Sequence, residues 1–132
     1  MSNTNISFVQ SLYAAFGRGD IAALVAGLSS DVDWHVTGKA GYPTFGTWKG
    51  PAKVQEFFKL VAETEEFSDF TPKSFHADGD KVFVLGNYTL KVKKTGRQVA
   101  SAWCHVFTLR DGKCSGFVEF NDSAQFVAAH KS

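Results

Sequence analysis

The side chains best suited to acid–base chemistry lie on two predicted strands joined by a tight turn. The segment from Val99 to Asn121 alternates in a way that predicts a β-hairpin, with Gly112 in its loop. A three-residue loop needs a left-handed glycine at that position, and this loop length places His105 opposite Phe117. Glu119 then lies diagonally across from His105, within side-chain reach. A histidine and a glutamate so placed are predicted to form a coupled acid–base pair.

The two faces of this hairpin differ in chemistry. One face mixes aromatic and polar residues, namely Val99, Ser101, Trp103, His105, Phe107, Phe117, Glu119 and Asn121. The other face carries no charge and consists of Ala100, Ala102, Cys104, Val106, Thr108, Val118 and Phe120. Polar groups within an aromatic wall are typical of a ligand pocket, so we expect the mixed face to enclose one.

The preceding segment, from Lys81 to Lys94, alternates as a further strand of the same sheet. If a two-residue turn joins it to the hairpin, Tyr88 pairs with Trp103 and Gly86 pairs with His105. Gly86 would then leave empty space beside the histidine. Tyr88 and Trp103 would extend the aromatic wall.

Length and composition restrict the class of protein. A chain of 132 residues predicts a single domain over 1–132, which can bury roughly two thirds of its unfolded surface. The net charge of +1 gives no reason to expect a nucleic acid or an anionic membrane as partner. The chain shows no apolar run long enough to span a membrane and no signal peptide, so we expect a cytoplasmic protein.

Neither a disulfide nor a metal site is predicted. In the predicted register Cys104 and Cys114 lie roughly 13 Å apart, beyond the ~7 Å limit for bridged Cα atoms. The four histidines show no ligand spacing, and no C-x-x-C pattern occurs. No phosphate-binding or dinucleotide-binding motif appears either, so no cofactor is expected.

The elements that position these residues follow an α+β order, with most helices before most strands. Helical spacing of apolar residues predicts helices that begin near Ile6, Ile21, Pro51 and Ser123. A short strand is predicted at 32–36, a long irregular stretch at 38–50 and an extended segment at 66–76. This pattern predicts helices packed on one face of a strongly curved, mostly antiparallel sheet that encloses a pocket.

Six fragments of the chain together resemble the SnoaL-like proteins of the nuclear-transport-factor-2-like superfamily. They are Y-A-A-F-G-R-G-D (13–20), S-D-V-D-W-H-V (30–36), G-P-A-K-V-Q-E-F-F (50–58), D-G-D-K-V (78–82), H-V-F-T-L-R-D-G-K (105–113) and F-V-E-F-N-D-S (117–123). The resemblance implies a cone-shaped α+β roll, an apolar internal pocket and a homodimer. The superfamily also holds ketosteroid isomerase and scytalone dehydratase, but its fold hosts plain binding domains as well.

The resemblance to ketosteroid isomerase assigns roles to individual residues. Tyr13 falls where that enzyme has its oxyanion-hole tyrosine, and His105 falls where it has a protonated aspartic acid that donates a second hydrogen bond. Val36 stands in place of the general-base aspartate, and Phe58 replaces a supporting tyrosine. Ketosteroid isomerisation by that mechanism is therefore not expected.

In the polyketide cyclases of the family, a carboxylate near the pocket acts as acid and base, and the resemblance leaves Glu119 and Asp122 as alternatives for that role. The predicted catalytic residues are accordingly His105, Glu119 and Tyr13. The predicted substrate-binding wall consists of Trp34, Val36, Tyr42, Phe45, Trp48, Phe58, Tyr88, Trp103, Phe117 and Asn121.

The first functional hypothesis is a cofactor-free enzyme, an isomerase, cyclase or dehydratase, that moves a proton on a hydrophobic small molecule. Tyr13 and His105 would polarise an oxygen of the substrate, and Glu119 would move the proton. The alternatives are a non-catalytic ligand-binding domain and a dimerisation scaffold. A raised pKa of Glu119 would favour the enzyme. The uncharged hairpin face, extended by Phe83 and Leu85, is predicted to form a homodimer interface.

Overall fold

The computed structural model describes residues 2–39 and 41–131. Its helices are α1 (Ser2–Gly17), α2 (Ile21–Ala26), α3 (Pro51–Thr64) and α4 (Ser123–His130). Its strands are β1 (Leu28–Val36), β2 (Gly46–Lys49), β3 (Glu65–Asp78), β4 (Lys81–Val92), β5 (Gln98–Arg110) and β6 (Lys113–Phe120). No helix in the described part of the chain is long and apolar enough to cross a membrane.

Local sequence signals explain where the helices begin. The side chain of Asp20 accepts a hydrogen bond from the backbone N–H of Ala23 at 3.1 Å, so it caps α2. Pro51 occupies the first turn of α3, where its missing N–H costs no hydrogen bond. Asp122 stands before α4, but its carboxylate accepts from the side chain of Gln125 instead of from the helix backbone.

The described residues form one six-stranded sheet in the order β2-β1-β6-β5-β4-β3. Every neighbouring pair is antiparallel except β1 and β6, which run parallel. The helices pack on this mixed sheet, which is not closed into a barrel, and the result is the predicted cone-like α+β fold. The expectation of an irregular stretch over 38–50 is wrong in part, because β2 pairs with β1 and brings Trp48 opposite Trp34.

The hairpin between β5 and β6 has a shorter turn than predicted. Asp111 and Gly112 both have positive φ, at 53° and 76°, which is typical of a two-residue type I′ turn. An irregularity in the pairing beside Thr108 then adds one residue on β6. Because these two departures together shift the register by two residues, the predicted faces are right but the predicted partners are wrong: His105 lies opposite Glu119, not Phe117.

The pairing of β4 with β5 is also shifted by two residues from the predicted one. The two-residue turn is wrong, because the ladder ends at Lys91 and Gln98. Gly86 therefore faces Trp103, and Val84 faces His105. The space left by Gly86 is not beside the histidine, since a Cβ built there would lie 2.4 Å from the Trp103 ring.

Gly86→Ala is expected to destabilise the fold, by about 1–3 kcal/mol, because overpacking forces neighbouring groups to move. The new Cβ would also lie 2.5 Å from the backbone oxygen of Thr71, which cannot rotate away. Urea unfolding followed by circular dichroism measures the change. Gly17→Ala is the matched control, since a Cβ there meets nothing within 4 Å. Equal stability of both variants would contradict the close packing of Trp103 on Gly86.

Candidate functional site

Three side chains from three elements form a continuous hydrogen-bonded chain in the interior. The hydroxyl of Tyr13, on α1, lies 2.6 Å from Nδ1 of His105, on β5. Nε2 of His105 lies 2.8 Å from Oε1 of Glu119, on β6. The side chains of His105 and Glu119 are only 4% and 15% exposed. The structure therefore brings together all three residues that the sequence predicted as catalytic.

The second carboxylate oxygen of Glu119 is also hydrogen-bonded. Oε2 accepts from the hydroxyl of Tyr88 at 3.0 Å and from Nδ2 of Asn121 at 2.6 Å. Burial would raise the pKa of Glu119, but the hydrogen bond from His105, the attraction of that ring in its protonated form, and the bonds from Asn121 and Tyr88 outweigh it and lower that pKa below its ordinary value. Glu119 is thus an ionised carboxylate held by three donors. The raised pKa of Glu119 that would have favoured the enzyme over the other two hypotheses is not found.

The protonation states of Tyr13 and His105 decide which group donates each hydrogen bond. Burial, followed by repulsion from Glu119 and Cys104, raises the pKa of Tyr13, so its phenol is neutral. With the imidazole neutral and its proton on Nε2, the Tyr13 O–H donates to Nδ1 of His105, and the Nε2–H of His105 donates to Glu119. Tyr13 and His105 therefore do not converge on a common point as two donors, because their hydrogen bonds link them to each other.

Aromatic rings fix the plane of the imidazole. His105 stacks on Trp103 with a centroid distance of 3.9 Å and an interplanar angle of 17°. Its ring is nearly parallel to that of Tyr13, at 7°, and Phe117 meets it edge-on at 4.8 Å. With both nitrogens bonded and Trp103 stacked on one face, the imidazole is held in one orientation.

Two small cavities lie beside the hydrogen-bonded side chains of Tyr13, His105 and Glu119. The aromatic cavity, of about 70 Å³, is lined by Leu12, Tyr13, Phe16, Leu24, Trp34, Phe57, Phe58, Phe70, His105, Phe107, Phe117 and Glu119. The carboxylate cavity, of about 60 Å³, is lined by Val36, Thr44, Phe57, Phe58, Val61, Glu65, Tyr88, Glu119, Asn121 and Phe126. Glu119, Phe57 and Phe58 line both cavities, so the two are neighbours across these side chains.

Six of the ten predicted wall residues line these cavities. They are Trp34, Val36, Phe58, Tyr88, Phe117 and Asn121. The other four lie elsewhere: Trp103 stacks on His105, Trp48 packs on Phe57, Phe45 lines a groove at the surface, and Tyr42 binds Glu65. Asp122, the alternative carboxylate, is exposed and lies outside both cavities.

The structure adds a buried carboxylate that the sequence reasoning missed. Glu65, the first residue of β3, is 8% exposed, and its Oε2 accepts from the hydroxyl of Tyr42 at 2.6 Å. Burial, with repulsion from Glu119, raises the pKa of Glu65 to about 7, although the Tyr42 hydrogen bond opposes the shift. The available signal was the strand alternation, which puts Glu65 on the same inward face as Phe67.

The thiols and the candidate metal ligands have no evident role. Cys104 and Cys114 are both free, and burial raises the pKa of Cys114 to about 12. Within residues 2–39 and 41–131, no group of three His, Cys, Asp or Glu side chains is arranged to hold a metal ion.

Comparison with known proteins identifies the family. The family model described as a SnoaL-like domain matches residues 9–117, so this chain belongs to the SnoaL-like family that the six fragments indicated. No curated protein sequence matches it significantly.

Solved structures show the same fold over the whole chain. An NTF2-like protein from Burkholderia xenovorans LB400 is 30% identical, with 99% of this chain and 98% of that chain covered and a TM-score of 0.91. An NTF2-like protein of unknown function from Burkholderia pseudomallei K96243 is 27% identical, with both chains fully covered and a TM-score of 0.87. TerC, co-crystallised with polyporic acid, is 28% identical, with 98% and 99% covered and a TM-score of 0.85.

His105→Gln is expected to raise the pKa of Glu119, because the carboxylate stays buried while it loses the imidazole, which donates a hydrogen bond to it and attracts it when protonated. Carboxyl-carbon NMR measures this titration directly. Lys91→Gln is a suitable control, since it removes only a surface pair with Glu66 at 3.5 Å. If Glu119 titrated identically in the wild type and in His105→Gln, the two groups would not be coupled.

Proposed function

We propose that this chain is a cofactor-free enzyme that transfers a proton on a hydrophobic, oxygen-bearing small molecule, as an isomerase, cyclase or dehydratase does. The observation that carries the proposal is the hydrogen-bonded chain Tyr13–His105–Glu119 at the wall of the aromatic cavity. An ionised carboxylate that orients a histidine, which in turn bonds a hydroxyl, is a recurrent arrangement for activating that hydroxyl.

In this mechanism Tyr13 is the group that touches the ligand. A proton leaves the ligand for the hydroxyl oxygen of Tyr13 as the phenol passes its own proton to Nδ1 of His105. The imidazolium that forms is stabilised by Glu119, so the charge never rests on a tyrosinate, which burial disfavours. The reverse sequence returns a proton to the ligand.

This division of roles differs from the one expected from the sequence. The sequence predicts that Glu119 moves the proton and that Tyr13 and His105 both donate to one oxygen of the substrate. The contacts support Glu119 as a positioning residue that remains ionised and acts through His105. Tyr13 and His105 act in series, because the hydroxyl of one is bonded to the ring of the other.

The cavities favour an aromatic ligand that enters by displacing Phe58. An apolar cavity of about 150 Å³ can hold benzene, and each cavity here is less than half that size. Phe58 lines both cavities and also a surface groove with residues of α2 and α3, so its ring separates the interior from solvent. The similarity to TerC, co-crystallised with polyporic acid, supports an aromatic ligand that carries oxygen atoms.

Tyr13→Phe is expected to lower catalysed proton exchange by about two to four orders of magnitude, as loss of an acid–base group does. The probe is 2-tetralone, an aryl ketone, and NMR follows deuterium uptake from D₂O beside its carbonyl. Ser11→Ala, an exposed change on the same helix, is the control. Wild-type exchange no faster than that in buffer would contradict catalysis. Binding of polyporic acid by calorimetry without exchange would favour the non-catalytic ligand-binding alternative.

We also propose that the chain forms a homodimer through the outer face of β4, β5 and β6. Phe83, Leu85 and Phe120 are 37%, 48% and 50% exposed there, and large apolar residues on one sheet face favour association. The small side chains of Ala100 and Ala102 lie on this face and would let a second sheet approach closely. An isologous contact of this face with itself gives a closed dimer.

Phe120→Lys is expected to weaken the dimer, because two-fold symmetry would place a charge twice in an apolar interface. Light scattering at micromolar concentration measures the mass of the wild type and the variant. Ala22→Lys, on the exposed side of α2, adds the same charge elsewhere and should not change the mass. A monomeric wild type at that concentration would overturn the proposed dimer.

A further inference from the structure

A second carboxylate lines the carboxylate cavity without a cationic partner. Glu65 and Glu119 both line this cavity, and only Glu119 has a histidine beside it. None of the ion pairs formed within residues 2–39 and 41–131 includes Glu65. Buried carboxylates without a counter-charge are uncommon, because desolvation favours their neutral form.

The groups around Glu65 come from several elements, and the charge that acts on its pKa is the negative charge of Glu119. Glu119 on β6 and Tyr88 on β4 share its cavity, and Tyr42 donates to it. The residues of α3 in the cavity wall are apolar. His130 of α4 meets the ring of Tyr42 edge-on at 5.5 Å, and Lys93 points to the backbone of α3 at the surface. Burial and the charge of Glu119 together raise the pKa of Glu65 to about 7.

Asn121, in the wall of the carboxylate cavity, has a hydrogen-bond acceptor without a donor. Its Nδ2 donates to Glu119 at 2.6 Å, which fixes the orientation of the amide. Its Oδ1 is buried and finds no hydrogen-bond partner in the described part of the chain. An unpaired buried acceptor costs about 1–3 kcal/mol. Because Asn121 lines the cavity, a ligand hydroxyl that donates to Oδ1 would remove this cost.

We propose that Glu65 is a second catalytic acid–base residue, which exchanges a proton with a ligand oxygen in the carboxylate cavity while the hydroxyl form of that oxygen donates to Oδ1 of Asn121. This inference rests on the function proposed for the hydrogen-bonded residues Tyr13, His105 and Glu119, called the Tyr13 chain below. The Tyr13 chain removes a proton at the aromatic cavity, and Glu65 supplies a proton at the carboxylate cavity. Glu119 separates the two cavities as a fixed negative charge.

The two transfers balance. The Tyr13 chain removes one proton from the ligand and stores it as the imidazolium of His105. The O–H bond of the Glu65 carboxyl breaks, an O–H bond forms on the ligand oxygen, and the negative charge passes from the ligand to Glu65. The ligand charge is then unchanged. His105 releases one proton to solvent and Glu65 takes one up, which restores the resting state.

Carboxyl-carbon NMR tests the state of Glu65 independently of activity. The Glu65 signal is expected to titrate near pH 7 and to move to lower pH in Glu119→Gln, since that change removes the neighbouring negative charge. The signal of Glu66, which is exposed and next in the chain, serves as an internal control. Titration of Glu65 in the ordinary range of a solvated glutamate would overturn the proposal.

Exchange of 2-tetralone with D₂O tests the catalytic role. In keto–enol exchange the Tyr13 chain removes the carbon-bound proton, and Glu65 protonates the carbonyl oxygen. Glu65→Gln, whose amide oxygen still accepts from Tyr42, is expected to slow exchange by about 10- to 100-fold and to remove the fall in rate above pH 7. Glu65→Asp should keep part of the rate, and Glu66→Gln should match the wild type.

The outcomes separate this inference from the proposed function. If Tyr13→Phe abolishes exchange but Glu65→Gln changes neither its rate nor its pH profile, only the role of Glu65 is overturned. If the wild type shows no exchange above the buffer rate, the proposed function and this inference fail together. If Glu65→Gln loses the rate but keeps the pH profile, with urea unfolding unchanged, Glu65 does not supply the proton and the proposal is overturned.

Discussion

The ionised carboxylate of Glu119 sits in an aromatic interior, and much of the site depends on how its charge is compensated. An unpaired charge in such surroundings would be neutralised by protonation. Here His105, Tyr88 and Asn121 each donate to it, and the pKa falls although burial alone would raise it. These donors come from β5, β4 and the end of β6, so the charge requires the correct register of three strands. Tyr13 extends the same network to α1 and thereby ties the helical layer to the sheet.

The aromatic residues around this network set how a ligand can enter. Seven of the thirteen phenylalanines line the two cavities, and both cavities are small. Dense packing of this kind excludes water, which strengthens the hydrogen bonds of the buried chain. It also means that a ring-sized ligand must displace a side chain. Phe58 is placed to move, since it is half-buried and lies between the cavities and a groove at the surface.

The sequence predicted the faces of the strands better than their partners. Alternation decides which side of the sheet a residue occupies, and a shift of two residues preserves that side. His105 and Glu119 were therefore placed on the correct face, although their direct pairing depends on a turn type and on an irregularity beside Thr108 that alternation does not reveal. Glu65 escaped prediction for a related reason. It follows a glutamate-containing helix end, where a charge is usually solvated, and only its phase with Phe67 indicates burial.

Glu65 and Glu119 illustrate how one cavity can move the pKa values of two carboxylates in opposite directions. Both are buried, but their hydrogen-bond donors differ. Glu119 has an imidazole and two further donors, whereas among the described residues Glu65 has the hydroxyl of Tyr42 alone. The charge retained on Glu119 then disfavours a second charge nearby, so the pKa of Glu65 rises while that of Glu119 falls. A carboxyl whose pKa lies near neutrality can exchange a proton at pH 7 while its neighbour stays ionised. Removing the charge of Glu119 would therefore also lower the pKa of Glu65, because the repulsion between the two carboxylates would be lost.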